Sequence, residues 1–587
     1  MKRRSIILAI ALVIILLGGI LSVAVDNDFG KVHTQRLYLV NDNGYTVTAN
    51  LFIPNAATAE APAPAFIVVP GGDCPSDIGS PWATELARRG FVVALVDYSG
   101  CGDTEADPSS QYWTNPDGAM ELDTVYDFVE SLDFVDSDNI GVGGHSMGSL
   151  YSYRLSLVRP VSMVVSDVVF KDAPAEYDFN FVQISATHDE GILARLSSFD
   201  EMYTDPFLCG MFGTEQIVPN QLYGSWENRT GRIFIPLNQT HQDDMISGQF
   251  LKALTESVST AMGAPNPLPG DDLVYGWKVV AHIMMIIGLV GALFALGGLL
   301  VDSRLFESLK LKAPEHSGGL KAGTKGFWIA AIILTLIPVA LFFPGTAVGN
   351  TMASNAQFQL GTTPNGYVVW MLFSACALLV YLLVYHFAVG KKLGATAKSY
   401  GFATSDGEGF RFGHILKSAI LALALFLFAY GVLLMIFRHA NTDIHVWTNS
   451  LRPFNAARSQ TMPWYFLAIL PYFALFQLCG SVLDFGDDRK GKVKSIVLGT
   501  LICLAGMILL LAFHEITLRT NRPFYTGHFA HFYLDLLTNL LPQFAIASAL
   551  ASYLRKKTNS VYVGVFLGTA MLAFGMVCTN SLAMIIS

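Results

Sequence analysis

Ser146 sits in Gly144-His145-Ser146-Met147-Gly148, between an apolar run that starts at Asn139 and a helix-forming stretch from Ser149. Gly-x-Ser-x-Gly on a strand-to-helix turn holds a serine hydroxyl proud of a sheet edge, because small residues at minus two and plus two let the turn close. The helix that follows aims its N-terminus at the same place. A serine is a weak nucleophile until an imidazole takes its proton, and that imidazole needs a carboxylate to fix its tautomer. Between Asp26 and Asp272 there are four histidines, His33, His145, His188 and His241, and Asp167, Asp189 and Glu190 follow the serine. The chemistry on offer is acyl transfer through a covalent serine intermediate.

The elements needed to position these groups are legible. Residues 32–40 and 46–54 alternate like strands around the turn Asn41-Asp42-Asn43-Gly44, which makes a hairpin. A short apolar run at 65–69 of the kind buried in a parallel sheet ends in Pro70-Gly71-Gly72-Asp73. A helix (82–89), a strand (91–96), the loop Asp97-Tyr98-Ser99-Gly100-Cys101-Gly102-Asp103, a helix (119–132) and a strand (139–144) follow. After the serine, strands are expected at 162–169, 181–186 and 232–237, and a helix from about 244 to 258. Strands alternating with helices imply a doubly wound, mostly parallel sheet whose ligands bind at the carboxyl ends of the strands.

This order of elements and motifs resembles the α/β-hydrolase superfamily, and within it the dienelactone-hydrolase and prolyl-oligopeptidase-like branches, over roughly residues 31–258. The resemblance implies the chain order Ser, acid, His. It assigns Ser146 as nucleophile, Asp189 as the acid just past its strand, with Asp167 and Glu190 as substitutes, and His241 as the base. It also implies an oxyanion hole from the backbone of Met147 and of Gly72, although Pro70 stands where the family often has His. No cofactor and no metal are expected. The expected activity is hydrolysis of a carboxylic ester, a lipid or envelope ester among them. A serine peptidase, an acyltransferase and a non-catalytic binding module of a membrane transporter or assembly protein are the alternatives. The aromatic-rich stretch 193–227, with Phe199, Tyr203, Phe207, Phe212, Tyr223 and Trp226, is expected either to wall the substrate pocket, since only 170–180 remains between strands six and seven for a lid, or to pack on the sheet. Cys74 and Cys101 follow strands that are neighbours in this fold, which would allow a disulfide outside the cytoplasm.

The rest of the chain has a different character. The 587 residues are 52% hydrophobic and only 14% charged, a membrane-protein composition. Residues 26–272 hold 35 acidic and 11 basic side chains, and the remainder 11 and 26. Those basic residues flank apolar spans, which excludes a nucleic-acid surface on the soluble part. The expected organisation is an N-terminal transmembrane anchor or signal peptide (1–25), an extracytoplasmic hydrolase domain (26–260), a Pro/Gly linker (261–272) and an all-α polytopic membrane domain of about eight helices (273–587). Lys and Arg are richest in the segments on the side of the N-terminus, which places that end in the cytoplasm and the hydrolase outside, in contact with the bilayer. Pro338, Pro471 and Pro542 are expected to kink their spans. The outward loops collect His439, His445, His514, Glu515, His528 and His531 with Arg438, Arg452, Arg458, Arg519 and Arg522, expected to dock against the acidic domain; His282 and His386 stand alone inside spans.

Overall fold

The computed structural model describes residues 2–582 except 112–114, 116–117, 169–177, 194, 353–354, 356, 408, 447–448, 521–523 and 525–527. Most of the short interval between strands six and seven, together with Arg522 and the side chains of His528 and His531, therefore lies outside the described residues.

The chain begins with helix α1 (Lys2–Asp26), which leads into strands β1 (Val32–Val40), β2 (Thr46–Pro54) and β3 (Ala63–Val69). Helix α2 (Ser80–Arg88), strand β4 (Val92–Val96), helix α3 (Leu122–Glu130), strand β5 (Val135–Gly144), helix α4 (Met147–Val158) and strands β6 (Met163–Ser166) and β7 (Asn180–Ala186) follow. Two short helices, α5 (Glu190–Leu193) and α6 (Pro206–Phe212), precede strand β8 (Arg232–Leu237) and helix α7 (Gly248–Met262). The eight strands form one sheet in the order β1-β2-β4-β3-β5-β6-β7-β8, with β1 and β2 antiparallel and β3 to β8 parallel. Every residue of β3, β4 and β7 is buried, which is why these strands read as continuous apolar runs rather than alternating ones. Both faces are covered. Ala65, Ile67 and Val69 pack toward Tyr126 and Leu150 of α3 and α4, whereas Phe66 and Val68 pack toward Trp82 of α2 and Phe250 of α7. The rings of Trp82 and Phe250 stack at 5.0 Å.

Helices α8 (Tyr275–Val301), α9 (Lys325–Ala340), α10 (Phe342–Asn350), α11 (Thr362–Ala388), α12 (Phe412–Ala440), α13 (Ala456–Gly480), α14 (Arg489–Arg519), α15 (His528–Thr558) and α16 (Tyr562–Thr579) build the second part. Among the described residues, nine helices are long and apolar enough to cross a membrane, with 325–350 counted as one. That span breaks between α9 and α10, just after Pro338, whose ring and missing N–H interrupt the helical ladder. Outward-facing Trp277, Ile287, Trp328, Ile329 and Leu423 are exposed, as expected of a surface in contact with lipid rather than water. Helix α1 packs along α8 through small residues. A Cβ at Gly18 would lie 2.8 Å from the Ala281 carbonyl oxygen, and one at Gly288 would lie 2.8 Å from that of Ala11. At its end, Asp26 forms a buried 2.7 Å ion pair with Lys278.

The presumed linker is pinned rather than loose. Arg88 bonds the Asp272 carboxylate at 2.9 Å, Arg89 donates to the Pro269 carbonyl at 2.7 Å, and Glu85 accepts the N–H groups of Val274 and Tyr275 at 2.7 and 2.9 Å. The loops of the helical part that carry Arg452 and Arg458 meet the acidic domain. Arg452 is fully buried and pairs with Asp77 at 3.1 Å and Asp103 at 2.7 Å, with Asp97 at 3.5 Å. The Phe437 ring lies under Arg452 and under Arg36, the latter itself paired with Asp97 and Asp103. Arg458 donates to the Gly102 carbonyl at 3.1 Å. The loop 97–103 is thus a docking surface, and its left-handed Gly100 (φ 78°) lets Leu582 approach to pair at 3.0 Å.

Candidate active site

The turn after β5 explains its own sequence. Ser146 is held at φ 56° and ψ −120°, a costly conformation for a residue with a side chain. A Cβ at Gly144 would lie 2.4 Å from the Gly148 carbonyl, and one at Gly148 would lie 2.3 Å from the Val69 carbonyl oxygen, so neither position admits any other residue. Asp167, at the end of β6, braces the turn: its Oδ1 accepts from the Ser146 N–H and from the Ser149 hydroxyl, both at 2.8 Å. Burial pushes the Asp167 carboxyl up to about 6, against the pull of His241.

Strands β7 and β8 are neighbours, and the loops leaving their carboxyl ends bring Asp189 and His241 together. His241 Nδ1 lies 2.8 Å from Asp189 Oδ2, and 3.8 Å from Asp244 Oδ2. Of the three acids weighed from sequence, Asp189 is the one on the imidazole; Asp167 supports the serine backbone, and Glu190 lines the cavity that His241 also lines. Asp189 Oδ1 is itself fixed by the Ile192 N–H at 2.8 Å. Burial lowers the affinity of His241 for a proton, but the carboxylates of Asp189, Glu190 and Asp167 outweigh it and hold the imidazole well above its ordinary value. His145 stacks on His241 with ring centroids 4.4 Å apart and donates from Nε2 to the His241 carbonyl at 3.1 Å. Burial, reinforced by His241, pushes His145 down to about 3, so it stays neutral and acts as a spacer that sets the ring orientation.

Ser146, His241, Gly72 and Met147 line one cavity of about 200 Å³. Met147 is the first residue of α4, so its N–H has no acceptor within the helix. Gly72 approaches so closely that a Cβ there would lie 3.0 Å from Met147 Cγ. The far wall is not the aromatic stretch. Phe199, Phe212 and Ile217 are buried against the sheet, with Phe199, Tyr203 and Phe234 in mutual edge contact, because a sheet face with α3 and α4 at only one end needs further cover. Instead Thr363 of α11 and Asp535 and Leu536 of α15 close the cavity. The helical part also grips the base loop: Thr538 donates to Gln242 at 3.3 Å and Arg519 to Asp243 at 3.3 Å. No single-strand pattern carries this signal, because the two parts meet only in three dimensions.

The thiols depart from expectation, and two side-chain clusters stand out. Cys74 and Cys101 are both free and buried, and the Cys101 thiol donates to the Cys74 carbonyl at 2.6 Å. His145, Asp167, His241 and Asp244 place one ligand atom each within 4.8 Å of one another, as do His282, Asp443 and His445, so both sets could hold a cation. Neither was visible as a sequence spacing, since the members come from separate loops.

Residues 66–262 match the profile of the alpha/beta hydrolase family. No curated protein matches the chain. Solved structures that it resembles include a hypothetical protein from Pseudomonas aeruginosa, at 23% identity and a TM-score of 0.21, covering 24% of this chain. The chain spans only 44% of the length of that protein. A dienelactone hydrolase-like promiscuous phosphotriesterase from metagenomic libraries is 12% identical, with 43% of this chain and 98% of that one covered and a TM-score of 0.28. An esterase from Pyrococcus furiosus is 12% identical, with 39% and 94% covered and a TM-score of 0.29.

Proposed function

With residues 66–262 an alpha/beta-hydrolase segment and the remainder a helical body, we propose that the protein is a membrane-bound serine hydrolase cleaving a carboxylic ester. The observation that carries the proposal is the shared cavity: a strained Ser146 and the His241 that pairs with Asp189 line the same pocket. In this reading Ser146 attacks the ester carbonyl as His241 takes its proton. Asp189 orients the imidazole and stabilises the imidazolium. The N–H groups of Gly72 and Met147 receive the oxyanion. His241 returns the proton to the leaving alcohol, and a water activated by the same imidazole then releases the acid from Ser146.

The charge asymmetry supports an N-terminus in the cytoplasm and a hydrolase part outside it. The helical body then does more than anchor the enzyme, since α11 and α15 wall the cavity, and in this reading that wall lies where the soluble part meets the bilayer. A lipid-borne or envelope ester fits that position.

The test uses the full chain in detergent with p-nitrophenyl esters of increasing acyl length and the matching anilides. Ester turnover that vanishes in Ser146→Ala is expected. Turnover that survives the substitution, or a preference for anilides, would contradict the assignment.

A further inference from the structure

The Gly72 N–H, one of the two donors proposed for the oxyanion, belongs to a peptide that is held from outside its own loop. The carbonyl of the same peptide, that of Gly71, accepts from the Tyr98 hydroxyl at 3.0 Å and from the Cys74 N–H at 3.3 Å. A planar trans peptide keeps its C=O and N–H antiparallel, so a carbonyl fixed toward Tyr98 aims the Gly72 N–H the opposite way. That N–H makes no hydrogen bond among the described residues. The peptide lies against the nucleophile, since a Cβ at Gly71 would be 3.4 Å from Ser146 Cβ. Two glycines in a row have a wide choice of backbone conformation, so a single orientation has to be imposed on them.

Tyr98 is itself fixed. It is buried, and its ring lies 5.0 Å from that of Tyr151. A phenol has one proton to give. Tyr98 gives it to Gly71, so the Ser581 hydroxyl, 3.3 Å away, is the donor in their mutual bond. Burial holds the Tyr98 phenol well above its ordinary range, so it keeps the proton it donates. The Ser581 N–H reaches the Asp73 carboxylate at 3.2 Å, and Asp73 takes a left-handed φ of 56° in the turn that follows Gly72. Ser581 follows α16 in a segment tied down on both sides. Arg458 donates to the Asn580 carbonyl at 2.7 Å, and the Leu582 N–H to that of Gly100 at 3.0 Å.

We infer that Tyr98 is a positioning residue for the oxyanion hole and that Ser581, from the end of the helical part, locks it in place. The inference rests on the serine-hydrolase reading and adds to it the residues that preorganise the Gly72 donor. The Tyr98 hydroxyl touches no reacting atom and acts through the Gly71–Gly72 peptide. A donor already aimed at the developing charge costs no reorganisation in the transition state. Without the hydroxyl the peptide is free to rotate, and the donor is withdrawn.

The experiment compares p-nitrophenyl acetate with its thiono counterpart, in which sulfur replaces the carbonyl oxygen, on the full chain in detergent. Sulfur is a weak hydrogen-bond acceptor, so a working hole favours the oxoester. The ratio of the two kcat values reads the hole and is untouched by any shared loss of folded protein. In Tyr98→Phe, kcat for the oxoester should fall roughly tenfold to hundredfold, short of the loss of a whole donor. KM should hardly change, and the oxo-to-thiono ratio should fall with kcat. Ser581→Ala should lower the ratio by roughly threefold to tenfold, the size of a neutral hydrogen bond. Because Ser581 lies at the edge of the assembly, its variant decides the matter if Tyr98→Phe does not fold. A wild-type ratio in either folded variant, even with both rates reduced in step, would overturn the inference and spare the parent reading. Absence of any Ser146-dependent turnover by the unmodified protein would overturn both.

Discussion

Among the described residues, two clusters of three or more histidine and aspartate side chains lie where the sheet body meets the helices, and they differ in what surrounds them. In the first, His241 Nδ1 meets Asp189 at 2.8 Å and the ring opens onto the cavity that Ser146 shares. In the second, His445 Nδ1 meets Asp443 at 2.6 Å, while His445 Nε2 meets the Tyr275 hydroxyl at 2.9 Å. His282 Nδ1 pairs with the His445 carbonyl at 2.7 Å, and its Nε2 meets the Ser22 hydroxyl at 3.2 Å. Asp443 also accepts from the Ser450 hydroxyl at 2.5 Å. Every ring nitrogen of the second cluster is committed, and the burial that would raise Asp443 is overcome by His445, which holds it below the usual carboxylate range. The same residue types therefore serve opposite ends. In the proposed reading the first pair does chemistry because its ring borders a cavity that Ser146 also lines; sealed by protein, the second ties helices to a hairpin.

The contrast can be broken most forcefully at Ser146. Ser146→Ala should lower ester turnover by about 10⁶-fold, as for other serine nucleophiles, without shifting the thermal midpoint. Asp189→Asn should cost about 10⁴-fold in kcat, and it should move the pH profile. The sign follows from the raised His241: the free imidazole is the working form, so kcat/KM should climb with pH through a midpoint above the ordinary histidine value of about 6.5. Removing the carboxylate that favours the imidazolium should carry that midpoint down. A profile unmoved by Asp189→Asn would mean that another acid holds the ring.

The second cluster and the arginine beside it should report on stability instead. Arg452→Ala leaves Asp77, Asp97 and Asp103 buried with one partner fewer, at a cost of roughly 3–5 kcal/mol, read as a lower thermal midpoint in detergent. Asp443→Asn should cost less, about 1.5–3 kcal/mol for a charged hydrogen bond. Its turnover per folded molecule should stay at the wild-type level. A loss of turnover in Asp443→Asn that exceeded its loss of folded protein would erase the distinction between the two clusters.

What sequence reading captured and what it missed follow the same line. The turn at Ser146 is a local steric problem solved by Gly144 and Gly148, so its pattern survives in a single string. Asp189 and His241, paired on the sequence, lie 2.8 Å apart because neighbouring parallel strands deliver their loops at one edge in chain order. Long apolar helices announce themselves by composition. The cavity wall did not, because Asp535 lies hundreds of residues from Ser146 and looks like one acid in a polar helix end. His282 and His445, 163 residues apart, read as unrelated for the same reason. The aromatic stretch misled because aromatic spacing looks the same whether the rings face a substrate or, as with Phe199 and Phe212, the sheet. Asp167 stands at a plausible acid position for the imidazole, but its Oδ1 accepts from the backbone of Ser146 instead.

The central claim is that Ser146 is an activated nucleophile, and a fluorophosphonate probe tests it most directly. The full-length protein in detergent, labelled and digested, should carry the phosphonyl adduct on the peptide containing Ser146. Labelling should vanish in Ser146→Ala and fall sharply in His241→Ala. A folded wild-type protein that takes no label, or a label that persists in Ser146→Ala, would contradict the account.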